Sequence, residues 1–452
     1  MTAPTMPRSS SLEREGTAVP LLSGRTARVL FIVIWVFLVA YQGLYLLSLG
    51  NGLDYPSNPH AEADVLRASE GYLKQGMDAH HLLPRILYGH RFPHDGGVKL
   101  LLDSQDRVFE KNRLDFPPEM GDRNQWIYTH YPPGADLLIG GLAKVIGLDP
   151  IWRLRLFPVA FGLLSLAILF RTITRICGIE RGALFAVAVA TLPMISAWMP
   201  TISLEGCTMG LALIQASVVI RALWEKPKVG WAPLLGLFLI GFVQGALTYD
   251  YLFVVTFLAL PWWLLRRAEG ANVSARSLFW MVALPGAGFV LAHVVHVLII
   301  ADELHGLRPA LAELQRIGAE RGGLESKFGW FKYAAKAIYY YIRSLFKPTL
   351  TGYAPWFMLA LVVSGLVALF ADVELKLRSR RGRGDWRLAL RWPGAGSVLP
   401  ALAAMVGVCG LWLFIMPQHT AGNFFLTVMH FVCCYVFMAF IIVRSLCVRA
   451  AA

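Results

Sequence analysis

Two acids separated by one residue, Glu62 and Asp64, follow the first long apolar run of this 452-residue chain. A carboxylate within hydrogen-bond reach of a hydroxyl can take its proton, which is the task of a general base. The residues that follow, Val65 to Leu73, place Val65, Ala68 and Tyr72 on one side of a helix. Glu62 and Asp64 are therefore expected in the first turn of a helix at the membrane surface. The helix dipole favours the ionised carboxylate there, although acids in a first turn also serve simply as helix-start signals. A second candidate is the run Tyr128-Thr129-His130-Tyr131-Pro132-Pro133-Gly134-Ala135-Asp136. Its two prolines and glycine impose an extended approach to the next apolar segment. The run reads either as a plain loop-to-helix junction or as a binding segment that presents His130 and Tyr131.

Further polar groups stand at the ends of apolar runs: Glu205, Asp250 in Tyr249-Asp250-Tyr251, and His419 in Met416-Pro417-Gln418-His419-Thr420. Ionisable groups at a membrane edge are costly and tend to face cavities, though short loops also expose them harmlessly. What these three share is one side of the membrane. His293 and His296 lie one helical turn apart; without a third ligand they read as helix-to-helix hydrogen-bonding groups and not as a zinc site. The six cysteines, Cys177, Cys207, Cys409, Cys433, Cys434 and Cys447, all lie in or beside apolar runs with no CxxC, so neither a disulfide framework nor a metal knuckle is expected. No P-loop and no GxGxxG in strand context is present.

The elements that must position these groups are membrane helices. Hydrophobic residues make up 56% of the chain and charged residues 16%, against about 25% charged in a soluble domain. The mean hydropathy is +0.54. A disordered chain, a coiled coil and an ordinary cytosolic enzyme are excluded, because a soluble fold could not hide this much apolar surface. The fold class expected is an all-α polytopic membrane protein. About ten transmembrane helices are expected, at 28–49, 152–170, 183–199, 206–224, 231–249, 251–265, 277–300, 353–371, 397–416 and 424–443. Residues 1–27 form an N-terminal tail and 28–452 a single transmembrane domain, with polar loops at 50–137 and 301–352. The first apolar run lacks a clear cleavage site and is expected to be retained.

The net charge of +13 fits Lys and Arg concentrated in cytoplasmic loops better than nucleic-acid binding, for which no motif is present. Segments 1–28, 171–182, 221–230, 266–276, 372–392 and 444–452 hold 22 Lys and Arg, whereas the short loops near 200–205, 248–251 and 417–423 hold none. Both termini are then cytoplasmic, and loops 50–137 and 301–352 lie outside. The second loop contains a helical pattern around Leu311, Leu314 and Ile317. It also holds an aromatic and basic segment with Trp330, Lys332, Tyr333, Lys336, Tyr339, Tyr340, Tyr341 and Arg343. Such a segment suits a helix in the headgroup region, with cations toward phosphates.

An acid shortly after the first span, a large first loop with surface helices, and the Tyr-Thr-His-Tyr-Pro-Pro-Gly junction together resemble the C-type glycosyltransferase (GT-C) superfamily. The nearest pattern is the group of protein O-mannosyltransferases and lipid A aminoarabinose transferases. Here Ala63 splits Glu62 from Asp64, where the common pattern has adjacent Asp-Glu, and Gly134 stands where Leu is commoner. Arg155 resembles the Arg that often follows the junction. The resemblance implies a glycosyltransferase of a bacterial inner membrane with an outward-facing site. It implies a polyprenyl-phosphate-linked sugar donor and a first-loop carboxylate, Asp64 or Glu62, as base. The acceptor, whether protein, lipid or glycan, is left open. The leaving phosphate needs cations, supplied by Arg85, Lys327, Lys332, Lys336 and Arg343 or by a divalent metal. His130, Tyr131, Glu205, Asp250 and His419 complete the expected substrate-binding set. The alternative is a transporter or flippase for a lipid-linked glycan, which would call for inverted repeats; none is evident in the sequence.

Overall fold

The computed structural model describes residues 18–19, 22–52, 59–79, 81–87, 125–129, 131–192, 195, 198–225, 229–322, 329–346, 360, 363–365, 372–378, 385–392, 396–422 and 430–450. The chain is a predominantly α-helical polytopic membrane protein, as its composition requires, with two small antiparallel sheets that depart from the all-α expectation. In chain order the helices are α1 (Gly24–Leu49), α2 (Pro59–Gln75), α3 (Gly134–Ile146), α4 (Trp152–Cys177), α5 (Ile179–Ala190), α6 (Leu204–Trp224), α7 (Trp231–Leu247) and α8 (Leu252–Phe257). They continue with α9 (Ala259–Ala268), α10 (Ala275–Glu303), α11 (Leu307–Gly322), α12 (Gly329–Phe346), α13 (Leu399–Ile415), α14 (Pro417–Gly422) and α15 (Phe431–Ser445).

Helices α1, α4, α6 and α10 are long and apolar enough to cross a membrane, and α7, α13 and α15 are shorter apolar helices. Within the expected span 183–199, α5 ends at Ala190 and a turn follows at Thr191, with 195 and 198 helical again among the described residues, and 251–265 divides into α8 and α9. Span 353–371 lies outside the described residues apart from 360 and 363–365.

Helix α15 runs through the core. Thirteen of its fifteen residues are buried, from Phe431 to Ser445; a helix apolar all round suits a core position as well as a lipid-facing one. Trp262 packs edge-on against Phe437 and Phe440 at centroid distances of 4.7 and 5.2 Å. At the α15 C-terminus Glu269 accepts from Arg266 (2.6 Å), Arg444 (2.9 Å) and the Trp224 indole (3.0 Å), so the carboxylate is surrounded by donors. Helices α7 and α10 cross at small residues. A Cβ at Gly241 would lie 2.1 Å from the Pro285 carbonyl oxygen, and one at Gly288 would lie 2.1 Å from that of Phe238. The pattern is the close backbone approach that small residues permit in membranes.

One feature of the fold was not anticipated from the sequence. Strands β1 (Ala18–Val19), β4 (Asp372–Arg378), β5 (Asp385–Arg391) and β6 (Leu446–Ala450) form an antiparallel sheet in the order β1-β6-β5-β4. Leu375 pairs with Leu388, and Leu388 with Val448. The signal lay in the period-2 alternation of Asp372 to Arg378. Because Ala18 pairs with Arg449, the strands β1 and β6 lie on the same side of the bundle. A second ribbon, β2 (Arg85–Leu87) with β3 (Gln125–Ile127), closes the first loop. Leu83 and Ile127 seat that ribbon on Ile300 and Ala310.

The α7–α10 crossing can be tested directly. Gly288→Val forces a branched side chain into the Phe238 carbonyl, and overpacking of this kind costs roughly 1–3 kcal/mol. Gly236 lies on an open face of the same α7, so Gly236→Ala should leave the melting temperature of the detergent-solubilised protein unchanged or raise it while Gly288→Val lowers it. Equal melting curves for the two variants would contradict the packing.

Candidate active site

The two acids of the first loop occupy different environments. Helix α2 begins at Pro59, whose fixed φ suits a first turn. Glu62 is therefore in the first turn, whereas Asp64 is carried into the second; the expectation that both acids lie in the first turn is corrected for Asp64. Glu62 is fully buried and forms a two-pronged ion pair with Arg155, Nη1 to Oε1 at 2.5 Å and Nη2 to Oε2 at 2.9 Å. The Ile202 amide also donates to Glu62 Oε1 at 3.2 Å. Arg155 donates in turn to the carbonyls of Pro200 (3.0 Å) and Gly52 (2.9 Å). One guanidinium thus joins the chain leaving α1, helix α2, helix α4 and the turn before α6.

Asp64, two residues on, points elsewhere. A third of its side chain is open (33% exposed), and Arg67 Nη1 donates to its Oδ1 at 3.2 Å. The helices around it desolvate the carboxyl and push it up to about 6, against the lowering effect of Arg67. Across the α2–α3 contact stands Asp136, which is nearly buried. Burial and the neighbouring charge of Asp64 push Asp136 up to about 7. The Tyr72 hydroxyl is also raised, by burial and then by the Asp136 charge, and it donates to the Leu82 carbonyl at 2.8 Å. The site thus holds a pair of carboxylates whose environments disfavour double ionisation. Sequence reasoning quoted Asp136 in the junction without assigning it a role. The missed signal is its place in the first turn of α3, on the helix that packs against α2.

The junction itself is held by close approach. A Cβ at Gly134 would lie 2.3 Å from the Ala246 carbonyl oxygen, which accounts for glycine at this position. Just before it, Tyr131 joins Asp250 and His419. The Tyr131 hydroxyl donates to Asp250 Oδ2 at 3.1 Å and lies 3.1 Å from His419 Nε2, which is 3.4 Å from Asp250 Oδ1. The Tyr131 ring stacks on Tyr249 at 4.5 Å. Asp250 and His419 are both buried. Three residues expected on one side of the membrane from separate runs are therefore in direct contact, on the α7–α8 turn, on α14 and on the junction.

Helix α12 packs on α14, the short helix that carries His419, and its Trp330 indole donates to the Phe414 carbonyl at 2.9 Å. Lys332 and Lys336 are exposed, over the rings of Tyr333 (6.0 Å) and Tyr340 (5.7 Å). Arg343 lies on the same helix and Glu205 is the second residue of α6, but their side chains lie outside the described residues, as do His130 and Lys327 entirely. Arg85 pairs with Ile127 in the β2–β3 ribbon, and its side chain too is outside the described residues. Thr129 donates to Glu313 Oε1 at 3.1 Å, and Arg316 holds Glu313 at 3.0 Å, so α11 anchors the junction. The expectation of helix-to-helix bonding by His293 is corrected: its Nδ1 lies 3.1 Å from the Phe289 carbonyl of its own helix. Among the described residues no three His, Cys, Asp or Glu side chains are placed to hold a metal ion.

No protein-family model and no curated protein matches the chain. Among solved structures, the chain is similar to the crystal structure of ArnT from Cupriavidus metallidurans in the apo state, at 12% identity and a TM-score of 0.38, over 93% of this chain and 77% of that one. A likeness of this size settles neither fold nor activity.

The different surroundings of the two acids predict opposite responses in stability. Glu62→Gln leaves the Arg155 charge buried without a counter-charge, a loss of about 3–5 kcal/mol. Asp64 and Asp136 titrate above their ordinary value of 3.8. Their contribution to stability is therefore full below about pH 4 and is lost as pH rises through 6 and 7. Asp64→Asn should consequently leave the protein as stable as wild type, or more so, at pH 7. Thermal unfolding of both variants at pH 7 checks the division, and an equal loss would refute it.

Proposed function

We propose that this chain is a glycosyltransferase that moves a sugar from a polyprenyl-phosphate-linked donor to an acceptor hydroxyl at the outer face of a bacterial inner membrane, with both termini cytoplasmic. The observation that carries the reading is the division between the acids. Glu62 is committed to Arg155, whereas the neighbouring Asp64 stays partly open, with its carboxyl pushed up to about 6. A base poised near neutral pH combines ionisation with a real drive to accept a proton. The motif resemblance around the first loop and the Pro132-Pro133-Gly134 junction supports the same reaction class.

In this reading Asp64 removes the proton of the acceptor hydroxyl as that oxygen bonds to the anomeric carbon. The bond from the anomeric carbon to the phosphate oxygen breaks, and the polyprenyl phosphate leaves with the electron pair. Arg67 holds the Asp64 carboxylate in place, burial keeps its basicity high, and the Asp64 charge helps hold the neighbouring Asp136 carboxyl up at about 7. The departing phosphate is received at the corner where α12 meets α14. There Lys332 and Lys336 supply charge, and the Tyr131–Asp250–His419 cluster supplies hydrogen-bond donors. A donor carried by a lipid arrives within the bilayer, so a site at the membrane edge flanked by an aromatic and basic helix suits it.

Two measurements test the proposal. Asp64→Asn keeps the size of the side chain and removes the base, so transfer should fall about 10²–10⁴-fold with protein level and donor binding near wild type. In wild type kcat/KM should rise with pH through an acid limb near 6, where Asp64 deprotonates. An Asp64→Asn variant with near-normal transfer would overturn the base assignment. Lys332→Ala and Lys336→Ala should raise KM for the donor about tenfold, the worth of one charge-assisted contact. Unchanged donor kinetics in both would remove the phosphate corner.

A further inference from the structure

At the end of the bundle remote from Asp64 lies a groove that the transfer reaction does not use. Its walls come from α1, α4 and α5, and its volume is about 670 Å³. Phe31 and Trp35 line it from α1, and Phe170, Arg171, Thr174 and Arg175 from α4. Arg171 is 16 residues beyond Arg155 on the one helix, about 24 Å along its axis at 1.5 Å per residue. Since α4 is long enough to cross a membrane, the groove opens in the leaflet opposite the Glu62–Arg155 pair.

The order of residues along the groove follows a lipid. Toward the membrane interior it is apolar and aromatic, with Trp35 against Phe170 at 5.9 Å. Toward the membrane surface it becomes cationic. Arg171 is exposed and has no ion pair among the described residues. Arg175 is over half exposed and pairs with Glu225 through Nε alone, at 3.2 Å. Arg28 is exposed on α1, one turn before Phe31. The opposing acids are Glu180 in the first turn of α5 and Glu225, which Arg221 also pairs at 3.3 Å; Arg181 is turned to the Leu446 carbonyl. The balance at the mouth is positive. The Thr174 hydroxyl, buried beside it, has no hydrogen-bond partner among the described residues.

We infer that this groove is a binding site for an anionic phospholipid of the leaflet opposite the candidate active site. The phosphate diester meets Arg171 and Arg175, and an acyl chain lies along Trp35 and Phe170. Basic pockets between membrane helices recognise anionic headgroups in this way. The inference is independent of the transfer reaction, since none of its residues belongs to that site.

Native mass spectrometry of the full chain released from detergent, titrated with phosphatidylglycerol or with phosphatidylethanolamine of the same chains, tests it. Wild type should retain phosphatidylglycerol preferentially. The Arg171→Gln, Arg175→Gln double variant should lose that preference by about fivefold for each arginine. Ala167→Phe, which fills the apolar part of the groove and keeps both arginines, should also lower retention. Melting curves near wild type confirm that each variant is folded. Retention unchanged in both variants overturns the inference. Retention lost with the arginines but unaffected by Ala167→Phe overturns it too, because the attraction would then belong to the surface charge and not to the groove.

Discussion

A buried pair of opposite charges, Glu62 with Arg155, organises the end of the bundle where chemistry is proposed. Neither side chain is exposed. Two charges removed from water are tolerated only where the remaining hydrogen-bond capacity is met. Here the Gly52 and Pro200 carbonyls accept from the two Arg155 Nη groups and the Ile202 amide donates to Glu62, which meets much of it. The consequence is geometric. Helix α2 cannot slide along the membrane surface without uncovering a charge, so the position of Asp64 relative to α3 and Asp136 is set by an interaction two residues away.

This arrangement explains how two acids so close in sequence come to do different things. On a helix, positions i and i+2 point about 200° apart. With Glu62 turned toward α4, Asp64 is turned away from it and stays partly open, and the buried Arg67 one turn later meets it. The second cluster depends on a similar constraint. Gly134 allows α3 to touch the end of α7, and that contact brings Tyr131 to the α7–α8 turn, where Asp250 and His419 converge.

The far end of the molecule is built on other terms. The sheet gathers strands from the N-terminal region, the 372–391 hairpin and the C-terminus into one layer, and Arg181 ties it to α5 through the Leu446 carbonyl. Basic residues at that end have a place in the fold beyond setting orientation. Arg266 and Arg444 neutralise Glu269 at the base of α15, and Arg171 and Arg175 stand at the groove beside α1.

Composition and run length were enough to establish a polytopic helical membrane protein, because about 20 apolar residues in a row can be satisfied only in a bilayer. The break at Thr248 to Tyr251, the helices over Leu311 to Ile317 and Trp330 to Arg343, and the placing of Tyr131, Asp250 and His419 toward one end of the bundle were legible for the same reason: the membrane restricts polar groups to a few positions. The direct contact among those three was not. Local spacing could not decide which of Glu62 and Asp64 is committed to structure. That depends on Arg155, 93 positions away, and on carbonyls of two other segments. Asp136 was unassigned for a related reason. A carboxyl becomes perturbed only when another helix buries it against a like charge, and the packing of α2 on α3 is a tertiary fact. The sheet was hidden because its strands are far apart in sequence, and an alternating basic segment reads equally as a loop until its partners are found.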